Sequence, residues 1–187
     1  MKILFLTEFF PDKPGGKITG GSESRTYYLA RELSNKHEVS IVTALLPQTL
    51  KEEKWRNLKI LRVGNRRRYL RKMGLLERGI FGLSAVWRIF RLRPDVIDAN
   101  NGVVYIFGFL AKLITGAKLV YWVPDIVGLK EWQREQGFPG GLIARILELT
   151  AVWFPADKII ALSNTTKDKL ILEGVNSKII KVIYPGV

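Results

Sequence analysis

A short apolar strand that runs into a glycine-rich loop and then a helix is the feature that most constrains this chain. Residues 2–7 read Lys-Ile-Leu-Phe-Leu-Thr, a run without polar alternation, as expected of a central parallel strand buried on both faces. Residues 8–21 follow as a long loop with Pro11, Pro14 and the glycine pairs Gly15-Gly16 and Gly20-Gly21. Loops of that length inside a compact domain are often functional. Ser22 is the expected N-cap, Glu23 lies in the first turn, and Thr26, Leu29, Ala30 and Leu33 keep an apolar stripe at helical spacing. Glycines at a helix N-terminus offer free N–H groups, the positive end of a dipole and room for close approach, so this unit suits an anion.

The same alternation continues. Further strands are predicted at residues 39–43, 58–63 (more exposed, near a sheet edge), 95–99, 118–123, 158–162 and 178–184. Helices are predicted at residues 67–91, broken or kinked at Gly74, Gly79 or Gly82 and stopped by Pro94, then at 103–114 and 142–154. A last helix runs from its Ser163 cap to Glu173 and stops at Gly174. Residues 124–141 read as a second long loop. The pattern predicts an α/β domain, a Rossmann-like parallel sheet of about seven strands with helices on both faces. Ligands of such sheets sit at the carboxyl ends of the strands, near the point where strand order reverses. Three loops qualify: residues 8–21, 100–102 and 124–141.

Composition narrows the chemistry. At 187 residues, 47% apolar and 25% charged, the chain can bury one sizeable core. It has no cysteine, which excludes disulfides and thiolate metal sites, and His37 as the single histidine effectively excludes a histidine metal site or Ser-His-Asp machinery. No metal and no resident cofactor are expected. The opening MKILFLTEFF lacks a cleavage pattern, and no uncharged apolar stretch reaches the roughly 18 residues a membrane span needs. A cytoplasmic location is the expectation.

Charge is uneven. Of the net +13, residues 62–93 contribute +9, with ten basic residues against Glu77 alone. Arg66, Arg67, Arg68, Arg71 and Lys72 precede an apolar stretch in which Leu76, Ile80, Leu83, Trp87 and Phe90 form one stripe with a second beside it. That arc is wider than a surface helix needs. Cations beside apolar and Trp side chains suit an anionic membrane surface, at about 1 kcal/mol per Lys or Arg. A core helix with a solvated basic lead-in is the plainer alternative. Nucleic acid is not an expected partner, because no recognisable binding module is present.

Two loops carry candidate ligand groups. The first lacks the G-x-G-x-x-G spacing of a dinucleotide site and the G-K-[ST] ending of a P-loop. It is either a backbone cradle for a phosphate at Gly20 and Gly21 or a surface loop with turn glycines. The second holds Asp125, Lys130, Glu131, Trp132, Arg134, Glu135 and Gln136. It is either a polyol or head-group site or an exposed charged loop.

Taken in order, several segments resemble one family. They are MKILFLTEFFP at residues 1–11, Gly20-Gly21-Ser22-Glu23, YLAREL at 28–33, HEVSIVT at 37–43, PDVIDA at 94–99, DKIIALS at 157–163 and KIIKVIYPGV at 178–187. The set resembles the N-terminal domain of the GT-B-fold retaining glycosyltransferases of family 4. The resemblance implies two Rossmann-like domains facing a cleft, this one binding the acceptor and the other most of a nucleotide-sugar donor. It assigns Gly20 and Gly21 to the donor diphosphate. Glu23, Asn100, Asn101, Asp125, Trp132 and Arg134 would serve the acceptor side, with Asp125 the candidate catalytic residue.

Two departures stand out. Family members usually carry histidine in the turn after the fourth strand, where this chain has Asn100-Asn101, and often His-Asp after the fifth, where it has Pro124-Asp125. The donor-binding domain would follow Val187. The 187 residues are therefore expected to be one half of such an enzyme, needing a C-terminal domain in cis or as a separate chain and inactive alone. The expected partners are a nucleotide-sugar donor and a glycan or lipid-linked acceptor. An anionic surface would be met through Arg66, Arg67, Arg68, Arg71, Lys72 and Trp87, with the domain peripheral on the inner face of a membrane. The competing expectation is a non-catalytic α/β module that docks on an anionic membrane or polymer through residues 62–93.

Overall fold

A computed structural model describes residues 1–66 and 74–184. Eight strands form one sheet: β1 (Lys2–Leu6), β2 (Glu38–Ala44), β3 (Glu52–Trp55), β4 (Leu58–Val63), β5 (Val96–Ala99), β6 (Lys118–Val123), β7 (Lys158–Ala161) and β8 (Ile180–Val182). Their order is β3-β4-β2-β1-β5-β6-β7-β8. All pairings are parallel except β3 against β4. The helices are α1 (Gly21–Leu33), α2 (Leu75–Leu92), α3 (Gly102–Thr115), α4 (Leu129–Trp153) and α5 (Asn164–Leu172).

The strand alternation divides the core into two. Ile3 and Phe5 of β1, Val39 and Ile41 of β2, and Leu58 and Ile60 of β4 pack with Ala30 of α1 and with Phe10. Leu4, Leu6, Val42, Leu61, Ile97 and Leu119 point the other way, towards α2, α3, α4 and α5. The central strand is thus buried on both faces, as its unbroken apolar run requires. Asp157, before β7, staples the strand starts. Its carboxylate accepts from the Leu119 N–H at 2.9 Å and pairs with Lys112 and Lys118. Burial alone would raise its pKa; these partners outweigh it and hold the group down at about 2.

Several sequence expectations fail for local reasons. The eighth strand, β3, is Glu-Glu-Lys-Trp, too charged to announce itself. It covers β4, which lies one strand from the edge, near it as expected, but is largely buried and not exposed. The last strand is shorter than residues 178–184, because a 3-10 turn at Ser177–Ile179 precedes β8. Residues 124–141 are not one loop. Only 124–128 connect β6 to α4, and α4 runs from Leu129 to Trp153 with a break at Gly137, where φ is 75°. Pro139 falls in the first turn after that break, where its missing N–H costs nothing. At α2, Gly74 is the N-cap and Leu75–Leu92 is continuous, so neither Gly79 nor Gly82 breaks it; the expected helical stretch before Gly74 lies outside the described residues.

Gly82 has a packing reason to be glycine. An added Cβ would sit 1.9 Å from the Phe107 ring of α3, so α2 and α3 approach as closely as they do only without one. Gly79, three residues earlier, faces open space. Gly82→Ala is expected to destabilise by about 1–3 kcal/mol through overpacking. Gly79→Ala is expected to stabilise by about 0.5–1 kcal/mol through helix propensity. Urea denaturation of the two variants checks the opposite signs.

Candidate functional site

From β1 the chain winds outward through β2, β4 and β3, then returns to β5 and proceeds through β6, β7 and β8. Strand order therefore reverses between β1 and β5, and the crevice at their carboxyl ends is where such a sheet receives ligands. Residues 7–20 leave β1 and enter α1. Asn100 and Asn101 leave β5 and enter α3, and residues 124–128 leave β6.

A buried ion pair fixes α1 over this crevice. Arg25 donates from both terminal nitrogens to Asp98 on β5, at 2.8 and 2.7 Å, and its guanidinium lies 5.2 Å from the centre of the Trp122 ring on β6. The two side chains are 15% and 9% exposed. Fork-to-fork geometry satisfies both carboxylate oxygens, which burial demands. Beneath it, Tyr105 donates to the Trp122 carbonyl at 2.6 Å, and Tyr121 donates to the Tyr105 carbonyl at 3.0 Å. Burial raises both phenol pKa values, and for Tyr105 the nearby Tyr121 and Asp98 add to the effect, so both remain neutral donors.

One residue on from Arg25, Thr26 fixes the orientation of Asn100. The Thr26 hydroxyl donates to the Ser22 carbonyl at 3.0 Å and accepts from Asn100 Nδ2 at 2.8 Å. Its single hydrogen is committed, so the amide must turn its nitrogen towards Thr26 and its oxygen away. Asn100 is 2% exposed, and its Oδ1 has no partner among the described residues. Ser22 Oγ and Asn101 Oδ1 are likewise buried without a partner there. Three buried polar atoms without a partner, on the segments at the carboxyl ends of β1 and β5, make this crevice the candidate site.

The glycines border this group. Gly20, not Ser22, is the N-cap of α1, and Gly21 is its first residue. An added Cβ at either glycine would meet nothing within 4 Å, so the space over the helix N-terminus is open. The first-turn N–H groups have no intrahelical acceptor. Glu23 turns back instead, accepting from the Thr19 N–H at 2.8 Å and the Thr19 hydroxyl at 3.0 Å. Glu23 is buried, and its carboxylate braces the loop into the helix.

The third connection is held by a residue that motif reading passed over. Glu148 of α4 accepts from the Val127 N–H at 2.6 Å, the Gly128 N–H at 3.2 Å, the Trp132 indole at 3.2 Å and Arg145 at 2.5 Å. Trp132 thus faces its own helix pair. Asp125 is exposed; its Oδ1 accepts from the Ile126 N–H at 2.8 Å and from Lys169 of α5 at 2.9 Å. Arg134 is exposed on α4. Gly20, Gly21, Asn100 and Asn101 are therefore brought to one crevice, with Asp125 at the end of the next strand, whereas Trp132 and Arg134 belong to α4.

The basic segment is less free than its sequence suggests. Arg62 is buried, bonded to Glu53 at 2.9 Å and to the Pro11 carbonyl at 2.6 Å. Arg78 lies 3.5 Å from Glu8, and Arg88 pairs with Glu52. Arg66 is exposed and donates to the Pro47 carbonyl, and Trp87 is 62% exposed. Arg67, Arg68, Arg71 and Lys72 lie outside the described residues. An open depression of about 590 Å³, lined by Lys2, Ser34, His37, Glu38 and Asp95, is at the opposite, amino end of the strands. Among the described residues no three metal-ligating side chains converge.

Residues 19–187 match the profile of Glycosyltransferase Family 4. The chain belongs to glycosyltransferase family 4. No curated protein sequence matches it. Solved structures share its fold. HepE (Alr3699) from Anabaena, in complex with UDP-glucose, superposes with a TM-score of 0.61 at 20% identity over 100% of this chain and 44% of that one. Sucrose-phosphate synthase from Thermosynechococcus elongatus gives 0.74 at 15% identity over 100% and 48%. A UDP-N-acetylglucosamine 2-epimerase from Rickettsia bellii gives 0.63 at 11% identity over 97% and 44%. The chain spans less than half the length of each. The family match assigns the chain, and the solved structures show that its fold recurs in about half of each longer protein.

The Arg25–Asp98 pair yields a double-mutant test of this glycosyltransferase domain. Asp98→Ala leaves a buried guanidinium unpaired and is expected to cost about 3–5 kcal/mol. Replacing both partners (Arg25→Met with Asp98→Leu) is expected to cost far less than twice that. Chemical denaturation of the two singles and the double checks it. Simple additivity would contradict the assignment.

Proposed function

We propose that this domain is the acceptor-side half of an enzyme that transfers a sugar from a nucleotide-sugar donor to a glycan or lipid-linked acceptor, with retention at the anomeric carbon. The orphaned Asn100 Oδ1, turned away from Thr26 and buried at the carboxyl end of β5, carries the reading. A buried acceptor without a donor suits a ligand rich in hydroxyl groups. The UDP-glucose in the HepE complex supports a nucleotide-sugar as the donor. A second domain, in cis or as a separate chain, would hold most of that donor across the cleft, and the 187 residues alone would not turn over.

Roles follow from position. As the donor bond breaks, negative charge grows on the leaving diphosphate, and N–H groups at Gly20 and Gly21 would offset it, aided by the helix dipole. Asn100, Asn101 and Ser22 would take acceptor or sugar hydroxyls. Asp125, exposed at the next strand end, is assigned to the acceptor hydroxyl, with Lys169 holding its other side. Glu23 and Trp132 would act on the acceptor only through the segments they brace. No metal is assigned a step. Nucleotide-sugars and a lipid-linked acceptor together favour a cytoplasmic location at the inner face of a membrane; no described helix is long and apolar enough to cross one.

Two substitutions separate these roles in an enzyme that joins this domain to a donor-binding domain. Gly21→Val fills open space and leaves the fold intact. It is expected to lower kcat/KM for the donor by about 100-fold or more. Asn100→Ala removes one hydrogen bond and is expected to raise the acceptor KM about tenfold. Unchanged donor kinetics in Gly21→Val would remove the diphosphate role, and an unchanged acceptor KM in Asn100→Ala would remove the hydroxyl role.

A further inference from the structure

Large apolar side chains are exposed unevenly among the described residues. Five lie on α2, three on α3 and six on α4, against one on α1. The helices α2 and α4 both pack against α3, so the three form one layer on one side of the sheet. On α2 the exposed residues are Leu76 (78%), Leu83 (65%), Trp87 (62%) and Phe90 (37%). At about 100° per residue these four fall within an arc of about 60°, along about 21 Å of helix. Phe81, Ala85 and Ile89, the buried residues, lie opposite. Leu142, Ile146 and Trp153 repeat the arrangement on α4, where Ala151 is buried. The ridges thus point away from the sheet.

We propose that this outer flank docks on an anionic lipid bilayer, with Leu76, Leu83 and Trp87 of α2 and Ile146 and Trp153 of α4 entering the boundary between headgroups and acyl chains. The proposal names the surface and does not depend on the sugar-transfer reading. Indole rings suit that boundary, being apolar with one donor. Charge decides between a bilayer and a second copy. The acids that neutralise Arg62, Arg78 and Arg88 come from elsewhere in the chain, namely Glu53, Glu8 and Glu52. Arg66, beyond the end of β4, and Arg91 and Arg93, at the far end of α2, remain exposed beside the ridge. Residues 62–93 carry one acid, Glu77. A two-fold dimer through this flank would set these cations against themselves, whereas an anionic surface attracts them. The α2 N-terminus lies at the carboxyl edge of the sheet, because α2 leads into the start of β5. Docking would therefore bring the crevice beside the membrane and leave it open.

The absence of cysteine makes the test direct. Leu83→Cys and Ile146→Cys place an environment-sensitive thiol dye on two ridges, and Tyr28→Cys places it on α1, on the opposite side of the sheet. Vesicles are phosphatidylcholine with or without phosphatidylglycerol. The expected result is a blue shift at Leu83→Cys and Ile146→Cys with phosphatidylglycerol only. Arg91→Gln, added to either, should weaken the binding about fivefold, the equivalent of one cation near the surface. A blue shift of equal size on neutral vesicles would overturn the proposal. So would an equal shift at Tyr28→Cys, no shift on either vesicle, or a shift that grows with protein concentration without vesicles, which would assign the flank to self-association.

Discussion

The Arg25–Asp98 pair is the contact on which the site depends. The sheet turns its order between β1 and β5, and an open crevice there has no shape of its own. Arg25 reaches from α1 across that line to Asp98, which lies beside Phe5 in the strand register, and covers Trp122 one strand further on. A tether of this kind contributes little net stability against an apolar pair of similar volume. Its value is positional. It sets the helix so that Thr26 meets Asn100, and Thr26 in turn decides which way the amide faces. The donor-free oxygen of Asn100 is thus a consequence of a salt bridge on the strand before it.

The same sheet separates two kinds of surface. Its carboxyl edge collects the helix N-termini of α1 and α3, orphaned polar atoms and the glycines that leave room above them. Its α2–α4 flank presents apolar ridges bordered by cations. These do not compete, because one is at the ends of the strands and the other covers a face. Gly82 matters to the flank, since it permits the close approach of α2 to α3.

Much of the architecture was legible. An unbroken apolar run such as residues 2–7 can only be buried on both faces, and Gly174 and the Ser163 cap marked the ends of α5 as expected. The failures have physical causes. The charged β3 is held by its neighbour and not by its own pattern. Residues 129–136 were hidden by the turn signals of Gly137, Pro139, Gly140 and Gly141, which break α4 without ending it. Arg25, Asp98, Thr26 and Glu148 were missed as parts of the site because each acts through a partner distant in sequence. The one local clue was Asp98 itself, a lone carboxylate inside the apolar strand Val-Ile-Asp-Ala. The high charge of residues 62–93 was read correctly in sign but not in availability, since Arg62, Arg78 and Arg88 are paired.

The central claim is that the crevice between β1 and β5 is where a diphosphate and its sugar meet this domain. The most direct measurement is a heteronuclear NMR titration of the nitrogen-15-labelled chain with pyrophosphate and with UDP-glucose at millimolar concentration, which detects weak binding. The account predicts shifts of the Gly20, Gly21 and Ser22 amides with both ligands, and of the Asn100 side-chain amide with UDP-glucose. Shifts confined to the depression around His37 and Asp95, or none at the glycines and Asn100, would contradict it.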